Sequence, residues 1–248
     1  MAAEDGRLTP AAASVRAMGV TAIPVQVDLA TRGGVEELHR QVLETGRPVE
    51  ALALNAGIGA GGEFIGTPLE ADRRLIELNI MSVVHLAKLM VPAMAERGRG
   101  RVLITASVAS TMPGPYYATY AASKAFDLSF AEALRHELKD RGVTVTALMP
   151  GPTDTDFFRR ADMENTRVGS SPKDDPADVA RDAFEALMAG DDHVVAGSIK
   201  NKLQTLGVRA MPEATKAALH GRMTKPLGGD CGRTEEEATR REAARHLV

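Results

Sequence analysis

GRVLITASVASTMPGPYYATYAASK, residues 100–124, is the stretch whose reading decides the fold. Arg101 to Thr105 is short, rich in branched residues and nearly unbroken in apolarity, the mark of a parallel strand covered on both faces. A loop bearing Gly and Pro, Met112 to Pro115, follows it, and helical periodicity runs from Ala118 to Arg141. The same alternation extends in both directions. Strands are expected at Thr21 to Val27, Ala51 to Leu54 and Val143 to Leu148, and helices at Thr9 to Met18, Gly34 to Thr45 and Leu69 to Arg97. Strands alternating with helices imply an α/β domain built on a doubly wound parallel sheet.

Composition fits one large domain. Of 248 residues 44% are hydrophobic, enough for a sizeable core, but only 4% are aromatic and none is Trp. Ala, Val, Leu, Ile and Met must therefore fill it. A net charge of -3 with acids and bases mixed along the chain offers no basic stripe for a polynucleotide, so no nucleic-acid partner is expected. The single cysteine, Cys231, forms no intrachain disulfide and stands apart from any His cluster; no metal site is expected, and a reducing cytoplasm fits best. Met1 to Pro10 carries two acids and no apolar core, unlike a signal peptide. Met81 to Met94 is interrupted by His85 and Lys88 and falls short of the ~20 residues of a membrane span. A soluble protein without a membrane partner is expected.

No repeat or linker divides the chain before Lys200. Residues 1–199 read as the α/β domain and 200–248 as a helical extension: an amphipathic stretch Glu213 to Met223, a turn Gly228 to Gly232, and a charged tail Thr234 to Val248 read as disorder in preference to a solvated helix.

The chemistry is concentrated in Tyr120-Ala121-Ala122-Ser123-Lys124. A spacing of four places Tyr120 and Lys124 on one helix face, a turn apart. A phenol with a reference pKa of ~10 is a poor base at neutral pH unless a cation stabilises its anion, and Lys124 is spaced to do so. Such a pair alone is most often a surface feature. Ser107, just past the end of the strand Arg101 to Thr105 where open α/β sheets bind ligands, adds a hydroxyl that can converge with the other two.

With Ser107, Tyr120 and Lys124 so spaced, the chain resembles the short-chain dehydrogenase/reductase family from about Gly6 to about Val195, and the sheet is then expected to be Rossmann-like. The resemblance implies that Ser107 holds a substrate carbonyl or alcohol, that Tyr120 transfers the proton, and that Lys124 lowers the Tyr120 pKa and binds the nicotinamide ribose. Asn79, in Leu78-Asn79-Ile80, matches the family's asparagine supporting a water relay behind the lysine; on its own such a residue reads as a hydrogen-bonded core amide. Asn55-Ala56-Gly57 matches the motif that lines the adenine ribose pocket, and Asp28-Leu29 the pair at the adenine. Pro150-Gly151-Pro152-Thr153-Asp154-Thr155 matches the loop at the nicotinamide, implying contacts from Pro150, Gly151, Thr153 and Thr155. The strandless segment Asp156 to Asp175, before a helix opened by Pro176, corresponds to the substrate lid; Phe157, Phe158 and Met163 there could face an apolar ligand or simply pack the lid.

Gly57-Ile58-Gly59-Ala60-Gly61-Gly62 also satisfies the dinucleotide fingerprint G-x-G-x-x-G. Gly66 and Pro68 separate it from the next helix, so it is read as a flexible loop beside the site instead.

The family pattern is broken at the start. Its first strand, its glycine-rich turn, the helix after it and its second strand are not expected here, because Gly6 to Met18 already reads as the following helix and a βαβ unit needs roughly 30 residues. Either the gene product is truncated or the chain has abandoned dinucleotide binding. Truncation is preferred because Ser107, Tyr120, Lys124 and Asn79 all remain at matching spacing. Ala2-Ala3-Glu4 lacks the Arg pair that favours a 2′-phosphate, which leans the cofactor toward NAD over NADP.

The function expected from the resemblance is an NAD(P)-dependent oxidoreductase acting on a small carbonyl or alcohol. A non-catalytic binding or scaffold protein on the same fold is the alternative. A cofactor-free lyase or dehalogenase would commonly carry Arg in place of Lys124. The family packs the helices Leu69 to Arg97 and Ala118 to Arg141 into dimers and tetramers, so a homo-oligomer is expected.

Overall fold

Side chains alternate along the two central strands, and both faces are dry. In β4 (Gly100–Thr105) Val102 and Ile104 are fully buried in one core and Leu103 enters another. β5 (Val143–Pro150) repeats the pattern, with Val143, Val145 and Ala147 in the first core and Leu148 in the second. Truncating a side chain such as Ile104 to Ala costs ~2–5 kcal/mol, because so packed a site leaves a cavity.

The computed structural model describes residues 2, 3, 6, 8–197 and 212–227. Four parallel strands run in the order β3 (Ala51–Leu54), β4, β5, β6 (His193–Ala196), with Ala51 opposite Arg101, Gly100 opposite Val143 and Ala147 opposite His193. Helices α2 (Arg32–Glu44), α4 (Ser82–Glu96) and α5 (Ala118–Leu138) supply the first core, and α7 (Pro176–Ala189) packs Val179, Ala183 and Leu187 into the second. Helices on both faces of a parallel sheet make the single, Rossmann-like α/β fold that the alternation of elements implies.

Several boundaries differ from expectation. The strand expected over Thr21 to Val27 is only β2 (Val25–Gln26), since Pro24 has no N–H to donate to a ladder. Its partner is β1 (Ala2–Ala3), parallel to it and outside the four-stranded sheet, so a strand does precede α1 (Leu8–Ala17). No strand was expected there. β6 was also missed: it is four residues between Gly190 and Gly197, at the edge of the sheet among the described residues.

The helix expected from Leu69 to Arg97 is α3 (Leu69–Ile76), a π-helical turn over Glu77–Met81, and α4. By length and composition Leu69–Glu96 is long and apolar enough to cross a membrane, unlike the shorter run Met81 to Met94. In this fold α4 buries Val83, Leu86, Ala87, Met90, Val91 and Met94 in the core.

The segment Asp156 to Asp175 is not bare loop. It contains the short helix α6 (Phe157–Arg160), and it is pinned by bridges pairing Thr153 with Asp174 and Thr166 with Pro226. Glu213–Thr224 forms α8. The expected turn Gly228 to Gly232, the tail Thr234 to Val248, Cys231 and the boundary at Lys200 lie outside the described residues.

Candidate active site

The π-helical turn explains how Asn79 comes to face inward. One extra residue per turn rotates the helix locally, and Asn79 is fully buried. Its Oδ1 accepts from Ile58 N–H at 2.9 Å, while Nδ2 donates to Ile58 C=O at 2.9 Å and to Ser123 Oγ at 3.0 Å. The Ser123 hydroxyl in turn donates to the Tyr120 carbonyl at 2.7 Å. Asn79 thus ties the Gly57 to Gly62 loop to α5, with both amide hydrogens engaged.

That loop is held, not free. Gly61 N–H donates to Ala161 C=O at 2.8 Å and Gly62 N–H to Tyr116 C=O at 2.7 Å. A Cβ on Gly59 would stand 2.7 Å from the Phe157 ring, so glycine lets the loop seat against α6. The expectation of a flexible loop is corrected accordingly.

Ser107 caps a 3₁₀ turn over Val108–Thr111 at the end of β4, its Oγ accepting from Ala109 N–H at 3.1 Å. Ser110 closes the reciprocal bond and donates to the Lys124 carbonyl at 2.8 Å, which fixes this turn to α5. Lys124 is buried. Its Nζ donates to the Thr105 carbonyl at 2.8 Å and to Asp127 Oδ2 at 3.0 Å.

Tyr120 is half-buried among aromatic rings, with Tyr117 stacked at 5.7 Å and Phe157 tilted at 5.0 Å between centroids. Burial pushes its phenol pKa up to about 12, opposed by a hydrogen bond with Ser107 and reinforced by the Asp127 carboxylate. The Lys124 ammonium is paired with the buried Asp127 carboxylate.

Spacing therefore brought Ser107, Tyr120, Lys124 and Asn79 to one site around α5. Gly57 belongs with them: a Cβ there would come to 3.4 Å from both Asn79 Oδ1 and Lys124 Nζ. Asn55 stands beside it at the end of β3, its Oδ1 accepting from Thr105 Oγ1 at 2.9 Å, and Ala56 packs on the core. The Asp28 carboxylate lies 3.0 Å from Arg74 of α3 and also accepts from Ala30 N–H, while Leu29 is a core residue. Pro150 ends β5 opposite Ala196; Thr153 Oγ1 donates to the Gly151 carbonyl, and Thr155 Oγ1 accepts from Phe157 N–H at 3.3 Å. Phe158 and Met163 are buried as lid packing, and Phe157 packs on Tyr120 itself.

Three neighbours were not found from sequence. Asp127 pairs with Lys124, and its presence three residues on was the available signal. Tyr117 is buried, and its hydroxyl meets His220 Nε2 of α8. The other ring nitrogen, Nδ1, lies 2.8 Å from the Pro113 carbonyl, while Thr224 Oγ1 donates to the Pro115 carbonyl at 2.8 Å. The carbonyl can only accept, so Nδ1 carries the hydrogen and the Tyr117 hydroxyl donates to Nε2. α8 is thereby fastened over the loop before α5.

Comparison with known proteins agrees with this geometry. The short chain dehydrogenase family pattern matches residues 1–166. A rat dehydrogenase/reductase SDR family member 7B is 32% identical over 169 residues, covering 66% of this chain and 52% of the relative. The chain spans about half the length of this and the next most similar curated relatives. A 1-deoxy-11-beta-hydroxypentalenate dehydrogenase of Streptomyces exfoliatus is 35% identical over 191 residues, 75% of this chain and 69% of that one. Among solved structures, a short chain dehydrogenase/reductase of Burkholderia phymatum in complex with NAD superposes with a TM-score of 0.77 at 27% identity, covering 92% of this chain and 88% of that one. A Sphingobium yanoikuyae short-chain dehydrogenase in complex with NADPH shares the fold, with a TM-score of 0.73 at 24% identity over 94% and 88% of the two chains. A family match over residues 1–166 that includes Ser107, Tyr120, Lys124 and Asn79 makes this chain a member of the short chain dehydrogenase family.

Proposed function

We propose that the chain interconverts a carbonyl and a secondary alcohol with a nicotinamide dinucleotide, Tyr120 giving or taking the proton at oxygen. The observation that carries this reading is the placing of Ser107 at the end of β4 and of Tyr120 and buried Lys124 on one face of α5, which Ser110 and the Lys124 ammonium tie to that strand end. Ser107 holds the substrate oxygen and Tyr120 protonates it. Burial holds the Tyr120 phenol above its ordinary value, so it keeps a proton at neutral pH that it can give to a carbonyl oxygen. The dinucleotide, when bound, supplies or takes the hydride.

The residues fit the nucleoside parts of such a cofactor. Gly57 leaves a cradle beside Lys124 and Asn79 that a side chain would fill. The ammonium of Lys124 has an N–H left over for a ribose hydroxyl. Asn55, Asp28, Thr153 and Thr155 add groups that suit ribose, adenine and nicotinamide, and Ala2-Ala3-Glu4, lacking an Arg pair, leans the preference toward NAD.

The pyrophosphate is different. Among the described residues no glycine-rich strand-to-helix turn offers it fixed N–H donors, and α3 opens only at Leu69, after Pro68. A second reading is a non-catalytic binding or scaffold member that uses the same surface. Mixing the protein with NADH or NADPH and a panel of ketones and aldehydes separates the two. Loss of nicotinamide absorbance with formation of alcohol supports the enzyme; no turnover and no heat of nucleotide binding supports the scaffold.

We further propose a cytoplasmic homo-oligomer joined through α4 and α5, where Ala118, Ala122 and Ala125 are exposed and permit close approach of a second copy. Sedimentation of the purified chain as a monomer would contradict it.

A further inference from the structure

We infer that Asp127 is a positioning residue of this site: it fixes the Lys124 ammonium at the end of β4 and thereby sets how tightly Tyr120 holds its proton. The inference rests on the proposed role of Tyr120 only for its consequence in turnover.

Tyr120, Lys124 and Asp127 stand at i, i+4 and i+7 of α5, one face of the helix. A position so placed calls for an apolar residue, and the next turn supplies one in buried Ala131. Asp127 is instead fully buried, with one oxygen on Lys124 and the other, Oδ1, without a hydrogen-bond partner. Stability gives no reason for this choice. Replacing a buried ion pair by apolar side chains of similar volume is often neutral or stabilising. What a carboxylate does here, and an apolar residue cannot, is hold Lys124 and oppose its charge.

The consequence falls on Tyr120. A nearby cation loosens a phenol proton, and an anion tightens it. Lys124 Nζ has two of its three N–H bonds committed, to the Thr105 carbonyl and to Asp127, so it cannot swing away from this point. The opposite charge of Asp127, 3.0 Å from the ammonium, stands on the same helix face as Tyr120. The remaining groups around the pair are neutral: Asn79 from the π-helical turn, Ser107 and the Thr105 carbonyl from the end of β4, and Ser123 on α5. Tyr117 stacks on Tyr120 and carries His220 behind it.

Tyrosinate absorbance of the cofactor-free protein tests this directly. Subtracting the alkaline titration of Tyr120→Phe from that of the parent isolates Tyr120 from Tyr116 and Tyr117. Asp127→Asn keeps an oxygen for Lys124 and removes the charge, so its Tyr120 tyrosinate should be about tenfold more abundant at a given pH below the midpoint, a downward shift of about one unit. Asp127→Leu, which removes the acceptor as well, should shift in the same direction and carries the test if the Asn variant does not fold. In turnover, the pH profile of alcohol oxidation should move down with the titration. Unchanged tyrosinate onset in a folded variant, with only thermal stability altered, would reduce Asp127 to a structural role. Turnover retained by Tyr120→Phe would instead sink the proposed proton role while leaving the tyrosinate shift standing.

Discussion

Lys124 Nζ lies 3.0 Å from Asp127 Oδ2, and both side chains are all but sealed from solvent. Burial pushes the Asp127 pKa up to about 6 against the pull of Lys124. The folded protein therefore binds this proton more tightly than the unfolded chain, whose Asp titrates near ~4. Between about 4 and 6 stability must fall as pH rises, on account of this group. Asp127→Asn lacks the slope. Denaturant unfolding of both proteins across this window should show the difference moving in the variant's favour as pH rises; a constant difference would contradict the assignment.

Removing the cation alone is a harsher change. Lys124→Met leaves the Asp127 carboxylate buried without its ion partner, at a cost of ~3–5 kcal/mol. In Lys124→Met/Asp127→Leu the orphaned charge is gone, and most of that loss should be recovered. Equilibrium unfolding of the three proteins checks this. Losses that simply add would mean that the two side chains do not interact.

The loop that meets the lid predicts a contrast between glycines. In Gly61→Ala the new Cβ would stand 2.5 Å from the Met163 side chain and 2.7 Å from the Ala161 carbonyl, which also accepts from Gly61 N–H. Overpacking of this kind costs ~1–3 kcal/mol and should loosen the segment from Asp156 to Asp175. Gly66→Ala meets open space and should be close to neutral. Limited proteolysis and thermal melting of both variants should separate them; equal behaviour would show that the lid does not rest on the loop.

His220 ties α8 to the site in one protonation state. Burial lowers its pKa, and its Nε2 must stay bare to accept from Tyr117. Its contribution is therefore full above the ordinary histidine value of ~6.5 and is lost as pH falls through the lower value of the folded state. Protection of the Glu213–Thr224 amides, taken relative to their intrinsic exchange rates at each pH, should fall on mild acidification, and should lose that dependence in His220→Phe. Protection that is flat with pH in the parent would contradict the arrangement.

Much of this was legible because buried parallel strands advertise themselves. Arg101 to Thr105 and Val143 to Leu148 are apolar on both faces, and both are strands. β6, at the edge of the sheet among the described residues, is of mixed exposure, so its four residues carried little signal. The π-helical turn at Asn79 has none, since nothing in Glu77–Met81 separates it from ordinary helix. At the site, Ser107, Tyr120 and Lys124 were legible because they are close in sequence and share a strand end and a helix face. The inward aspect of Asp127 depends on which face of α5 the sheet covers. The meeting of His220 with Pro113 joins elements far apart in sequence, and no local pattern records it.

The proposed chemistry turns on the proton at Tyr120. Turnover of a carbonyl substrate by Tyr120→Phe, in a preparation where the parent is active and both bind dinucleotide alike, should fall by ~10²-fold or more, the scale of removing a general acid. The fold should be unchanged by circular dichroism. Reduction at the parent rate would show that the proton comes from elsewhere and would overturn the assignment.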